Sequence, residues 1–150
     1  KNNSIKRFVN NFNKLPDYLK KCIVIENDDK VFNVSDTLKI SDMINVPIVL
    51  DYHHYKCNKS DIDIERIFKT WNIKPKLHFS SPKSKKNFRS HSDYINSDDF
   101  IEFIEFIKKY NTDVDIMLET KMKDEALFRL VRELKYKTNY NFIDDTSFEI

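Results

Sequence analysis

Apolar residues along the chain keep switching between two spacings, and the switches mark out the elements. Ile5, Phe8, Val9 and Phe12 fall on one helical face, and Leu15-Pro16 ends that element. The run Ile23 to Ile25 predicts a short strand, followed by a polar turn at Asp28-Asp29-Lys30. Ser35 is placed to cap a second helix carrying Leu38, Ile40, Met43 and Ile44. From Pro47 through Leu50 the apolar run is unbroken, as expected of a parallel strand covered on both faces. Ser60 or Asp61 starts a third helix with Ile64, Ile67, Phe68 and Trp71 on one face. A strand from Leu77 to Phe79, a basic loop from Ser81 to Ser90 and an apolar helix capped by Ser97 follow, the helix bearing Phe100, Ile101, Phe103, Ile104 and Ile107. Val114 to Leu118 is the last clear strand, and Ala126, Leu127, Leu130 and Leu134 lie on the helix after it. The stretch from Tyr136 to Ile150 has no period and reads as an irregular closing segment.

Strands alternating with helices define an α/β chain, and the crossovers are long enough for right-handed parallel connections. Four βα units amount to half of a (β/α)8 TIM barrel, which takes about 250 residues. An open doubly wound sheet has the same pattern, but the polar residues at successive strand ends favour TIM-barrel type units. The expectation is a single domain over residues 1–150, the C-terminal half of such a barrel.

Composition removes several function classes. Glycine is absent, so no glycine-rich phosphate loop or dinucleotide fingerprint can form. A net charge of +2 is too small for a nucleic-acid signature, so DNA contact has to come from a local patch. Cys22 and Cys57 make no disulfide framework, and Cys22 at the head of an apolar run reads as a small buried thiol. No stretch approaches the roughly 18 apolar residues of a membrane span, and no signal peptide is visible. A cytoplasmic location without a membrane partner is the expectation. The chain opens Lys1-Asn2-Asn3 without Met and enters a helical pattern at once, which suggests a piece of something longer.

The residues with chemical potential cluster after the strands. Asp51 and His54 follow the buried run, His78 lies in the next, and His91 trails it by the basic loop. Glu26 and Glu119 end two further runs. Each has an ordinary explanation: a capping Asp, a satisfied core histidine, or an ion pair for Glu119 with Lys121 or Lys123. Lys76 adds a puzzle, because at strand period it shares a face with His78. Acids and imidazoles gathered at strand ends make sense around divalent cations, and oxygen and nitrogen donors without thiolate suit Mn²⁺, Zn²⁺ or Fe²⁺. Lys83, Lys85, Lys86 and Arg89 can hold phosphates, and Phe88 or Tyr94 can stack on a base.

Six strings carry a resemblance: Leu15-Pro16-Asp17-Tyr18, Glu26-Asn27-Asp28-Asp29-Lys30, Leu50-Asp51-Tyr52-His53-His54, Lys76-Leu77-His78-Phe79-Ser80-Ser81, His91-Ser92-Asp93-Tyr94-Ile95 and Met117-Leu118-Glu119-Thr120-Lys121-Met122-Lys123. In this order they resemble the ultraviolet-damage endonuclease family (the UvdE or UvsE type), relatives of the endonuclease IV apurinic-site nucleases. The resemblance implies a TIM barrel with up to three divalent metals, often manganese, that nicks damaged double-stranded DNA on the 5′ side of the lesion. It implies that Glu26 bridges metals, that Asp51, His78 and Glu119 complete its neighbourhood, and that His54 and His91 hold another metal. Glu26, Lys76 and Glu119 become the catalytic candidates, with Lys76 matching a lysine that can be carboxylated on its amine. Lys83, Lys85, Lys86, Arg89 and Tyr94 become the DNA-binding candidates.

The family supplies further histidine ligands and lesion-probing residues from its first strands, and the chain starts after them. A missing N-terminal half or a homodimer of half-barrels would then complete the site, and the isolated chain is expected to be an incomplete enzyme. Two other readings remain open: a metal-dependent sugar isomerase or epimerase of the same barrel class, and a non-catalytic half-barrel. The basic loop and the ordered strings argue against the sugar enzyme.

Overall fold

The unbroken apolar runs become parallel strands and the periodic stripes become helices in a computed structural model that describes residues 1–150. The order is α1 (Asn2–Asn13), a single turn α2 (Asp17–Lys20), β1 (Ile25–Glu26), α3 (Val34–Ile44), β2 (Ile48–Asp51), α4 (Tyr52–Cys57), α5 (Ile64–Lys69), β3 (Lys76–Phe79), α6 (Ser97–Lys108), β4 (Asp115–Leu118), α7 (Lys123–Lys137), β5 (Asn141–Phe142) and β6 (Phe148–Glu149). The sheet order β1-β2-β3-β4 follows the chain, as repeated βα units require. Ile25 aligns with Ile48 and Glu26 with Val49; Leu50 aligns with Leu77 and Asp51 with His78, in parallel pairs. Strands β5 and β6 form a separate antiparallel hairpin.

Contacts divide the chain into two compact units, residues 1–78 with 113–116 and residues 79–112 with 117–150. In the first unit, Ile5 and Val9 of α1 pack with Ile40 of α3, and Ile25, Phe32 and Ile44 close around them. All four residues of β2 are buried, matching its unbroken apolar run. A capping box starts α3: the Asn33 side chain accepts from the Asp36 N–H, and the Asp36 carboxylate accepts from the Asn33 N–H, both at 3.1 Å. It ends on Asn45 at φ 53°, where a chain without glycine uses the residue that tolerates the left-handed region best. Helix α5 buries Ile64, Ile67 and Phe68, and the half-buried Trp71 donates its indole N–H to the Ile48 carbonyl at 2.7 Å.

The second unit is built on an aromatic cluster. The Phe79 ring lies 5.1 Å from Phe100 and 5.0 Å from Phe103, edge-on to the first and tilted to the second. Ala126, Leu130, Val131 and Leu134 form the buried stripe of α7. The hairpin holds together by Tyr140 stacked on Phe148 at 5.0 Å.

Several expectations are corrected. The helix caps are Asn33, Asp63 and Asn96, in place of Ser35, Ser60 or Asp61, and Ser97. Asn96 wins its position because one side-chain oxygen accepts from both Asp98 N–H at 2.9 Å and Asp99 N–H at 3.1 Å. The closing segment pairs as a hairpin through aromatic stacking that no periodicity announces. Met43 is 55% exposed, one position off the α3 core stripe, and Cys22 is exposed because β1 begins only at Ile25. Helix α4 has no apolar period to announce it; Asp51 makes it by capping.

Phe103→Ala is expected to cost about 3–5 kcal/mol in urea unfolding, against about 1 kcal/mol for Asn33→Ala. A Phe103→Ala loss below that of the cap would show that the aromatic cluster does not organise its unit.

Candidate metal centre

Parallel strands in register end on one side, and in the first unit they end on ionisable groups. Glu26 closes β1, Asp51 closes β2, and His78 stands opposite Asp51 in β3. One carboxylate oxygen from each acid and one ring nitrogen of His78 lie within 4.8 Å of one another. A fourth group arrives through α4. Asp51 Oδ1 accepts the His54 N–H at 2.7 Å, and the turn this starts carries the His54 ring back over the strand ends. His54 Nδ1 sits 3.2 Å from Glu26 Oε1, 3.7 Å from Asp51 Oδ2 and 3.0 Å from the Asn27 carbonyl. On the other side of Glu26, Oε2 lies 3.4 Å from His78 Nδ1.

These contacts tune the acids and bases against each other. Burial alone would push Glu26 up, but hydrogen bonds from His54 and His78 outweigh it and bring the carboxyl down from 4.5 to about 2. The Glu26 hydrogen bond raises His54 from 6.5 to about 9 against the opposing effect of burial, with help from the Asp51 charge and the Asn27 carbonyl. At neutral pH the group therefore holds a proton on His54 to balance its carboxylates. The same cradle of carboxylate and imidazole donors fits a divalent cation, which would displace that proton. Cys57 takes no part, with Sγ 3.8 Å from His53 Nε2.

In the second unit His91 Nδ1 lies 3.5 Å from Glu119 Oε2. The pair borders a cavity of about 510 Å³ whose walls also include Lys83, Arg89 and Lys121. Lys85 and Lys86 are exposed and lie outside that lining. Tyr94 is held by its own unit, its hydroxyl donating to Glu125 at 2.7 Å and its ring covered by Arg129 at 4.7 Å. Lys76 shares the half-buried side of β3 with His78, as strand period requires, but its ammonium pairs with Asp115. That pair accounts for an unmodified cation on this face. Asn27, just 1% exposed, escaped the reading of single residues: its side-chain amide bonds both polar groups of the Asp51 backbone. Its place inside the string Glu26-Asn27-Asp28-Asp29 was the available signal.

Residues 1–149 match the profile of the family described as UV-endonuclease UvdE. The chain belongs to the UvdE family. It is similar to the UV DNA damage endonuclease of Bacillus cereus (strain G9842), 46% identical over 141 residues that are 89% of this chain and 44% of that protein. It is likewise similar to the UV DNA damage endonuclease of Bacillus mycoides (strain KBAB4), at 43% identity over the same shares. Among solved structures, "Crystal Structure of SacUVDE" superposes with a TM-score of 0.78 at 34% identity, covering 89% of this chain and 46% of that one. The UvdE-family chain thus has the expected α/β fold of TIM-barrel type βα units. It spans less than half the length of the curated relatives it matches.

For the metal-free chain, the pH dependence follows from the signs. Glu26 is lowered, so its contribution is present above 4.5 and lost as pH falls toward 2; His54 is raised, so its contribution is full below 6.5 and lost as pH rises through 9. Metal-free melting temperature should peak between 4.5 and 6.5, and His54→Gln should remove the alkaline limb. A His54 ring that titrates near 6.5 by NMR would refute the pairing.

Proposed function

We propose that the whole protein is a metal-dependent DNA repair endonuclease that nicks duplex DNA on the 5′ side of ultraviolet-damaged sites, and that this chain carries part of its metal centre. The observation behind the reading is the convergence of Glu26, Asp51 and His78 donors within 4.8 Å at the ends of adjacent strands. Membership of the UvdE family and relatives named UV DNA damage endonuclease support the choice of reaction. Glu26, Asp51, His54 and His78 would hold the cation, manganese in first place, with zinc or iron as alternatives. When bound, a divalent cation supplies Lewis-acid charge for phosphodiester hydrolysis. Within the second unit, His91 and Glu119 would offer a further imidazole and carboxylate to a cation.

The remaining work falls to the chain's own cations. Lys83, Arg89 and Lys121 line the cavity beside His91 and Glu119, where they would seat backbone phosphates without reading sequence. Lys85 and Lys86, exposed on the same loop, would add salt-sensitive attraction at longer range. Placement in the cytoplasm belongs to the same proposal; no helix is long and apolar enough to cross a membrane.

In the whole protein, Glu26→Gln should reduce manganese-dependent nicking of irradiated duplex by about 100-fold or more, and chelation should abolish nicking until Mn²⁺ is restored. Undiminished nicking by Glu26→Gln would overturn the assignment. Arg89→Ala should weaken binding to all duplexes alike and lower the slope of log affinity against log salt by about 1. An unchanged slope would remove Arg89 from the phosphate contacts.

A further inference from the structure

Strand β1 is two residues long, and its ladder with β2 ends at Glu26, aligned with Val49. Two residues further along β2, Asp51 still presents a buried N–H and C=O on that side. The side chain of Asn27 takes over from the missing backbone: its Oδ1 accepts from the Asp51 N–H, and its Nδ2 donates to the Asp51 carbonyl, both at 3.0 Å. The amide is thus a substitute peptide group, offering one donor and one acceptor where the strand has stopped. Asp lacks the donor, Leu lacks both, and Gln carries the amide one methylene too far. Asn27 makes one more contact, with its own carbonyl accepting from His54 Nδ1 at 3.0 Å. One residue therefore ties together the backbone of Asp51, the ring of His54 and, by the next peptide bond, Glu26.

We propose that Asn27 is a positioning residue of the metal centre, setting the separation of Glu26, Asp51 and His54 so that their donors suit one divalent cation. This rests on the metal-centre reading above. The amide satisfies the Asp51 backbone where β1 has ended, beside the Glu26 carboxylate that lies against His54 and His78. It also removes two orphaned polar groups next to a carboxylate that has no exposure, where each would be costly.

The test compares Mn²⁺ binding to the whole protein by calorimetry and by the electron paramagnetic resonance of the bound ion. Asn27→Leu keeps the volume and removes both hydrogen bonds; Asn27→Ser keeps a small polar group; Leu38→Ala is a buried control of similar destabilisation in the same unit. Both Asn27 variants, folded by circular dichroism, should bind Mn²⁺ about 10- to 100-fold more weakly with an altered resonance, and Leu38→Ala should bind as the parent does. A folded Asn27 variant with parental affinity and spectrum overturns the proposal and leaves the metal centre standing. If neither variant folds, the role is structural and the proposal falls. A whole parent protein that binds no Mn²⁺ overturns the proposal along with the metal-centre reading.

Discussion

The Asp51 carboxylate has no exposure to solvent, and the first unit is arranged around the cost of keeping it there. An ionised carboxylate without partners in that position costs several kcal/mol, so every adjoining element brings it something polar. Helix α4 begins on it and donates a backbone N–H. His54, carried by that helix, approaches its second oxygen while sharing Nδ1 with Glu26. The Asn27 amide satisfies the backbone N–H and C=O of Asp51 itself. Removing any one of these would leave charge or polarity stranded in the sheet, so strand end, helix start and turn are bound into one local solution.

With a proton on His54, the imidazolium lies between the Glu26 and Asp51 carboxylates; in the reading proposed above, a divalent cation would displace that proton and the same atoms would hold it. Four buried residues of β2, the Trp71 bond to Ile48 and the α1–α3 packing hold the strands, and a site carried on rigid elements keeps its geometry without help from its ligand. In the second unit the phenylalanine cluster does the corresponding work for the His91 and Glu119 pair. A net charge of only +2 conceals a local concentration of cations, because Lys83, Arg89 and Lys121 are collected around one cavity.

Most of the fold was legible because its signals are local. An apolar run such as Pro47 to Leu50 can be satisfied only by cover on both faces, and the spacing of Phe100, Phe103, Ile104 and Ile107 leaves one helical face for the core. Helix boundaries were less legible, because several adjacent Ser, Asn and Asp residues compete for each cap and only backbone direction chooses between them. The hairpin of Tyr140 and Phe148 depends on two aromatic rings meeting across a turn, a contact that no spacing encodes. Lys76 shows the same limit at the site: strand period correctly put it on the face of His78, but its partner, Asp115, lies in another strand. Tyr94 is similar, since Glu125 and Arg129 come from α7 to hold it.

The sequence by itself determined which residue types stand at the strand ends, and therefore that acids and imidazoles would meet on one side of a parallel sheet. That follows from the two-residue period of strands and the common direction of βα units, both of which are properties of the chain near each residue. Only the tertiary structure decided which of those groups share protons, which are spent on ion pairs, and how Asn27 replaces a rung of the ladder. Those outcomes depend on distances between segments far apart in the chain, where a shift of an ångström decides whether a hydrogen bond forms.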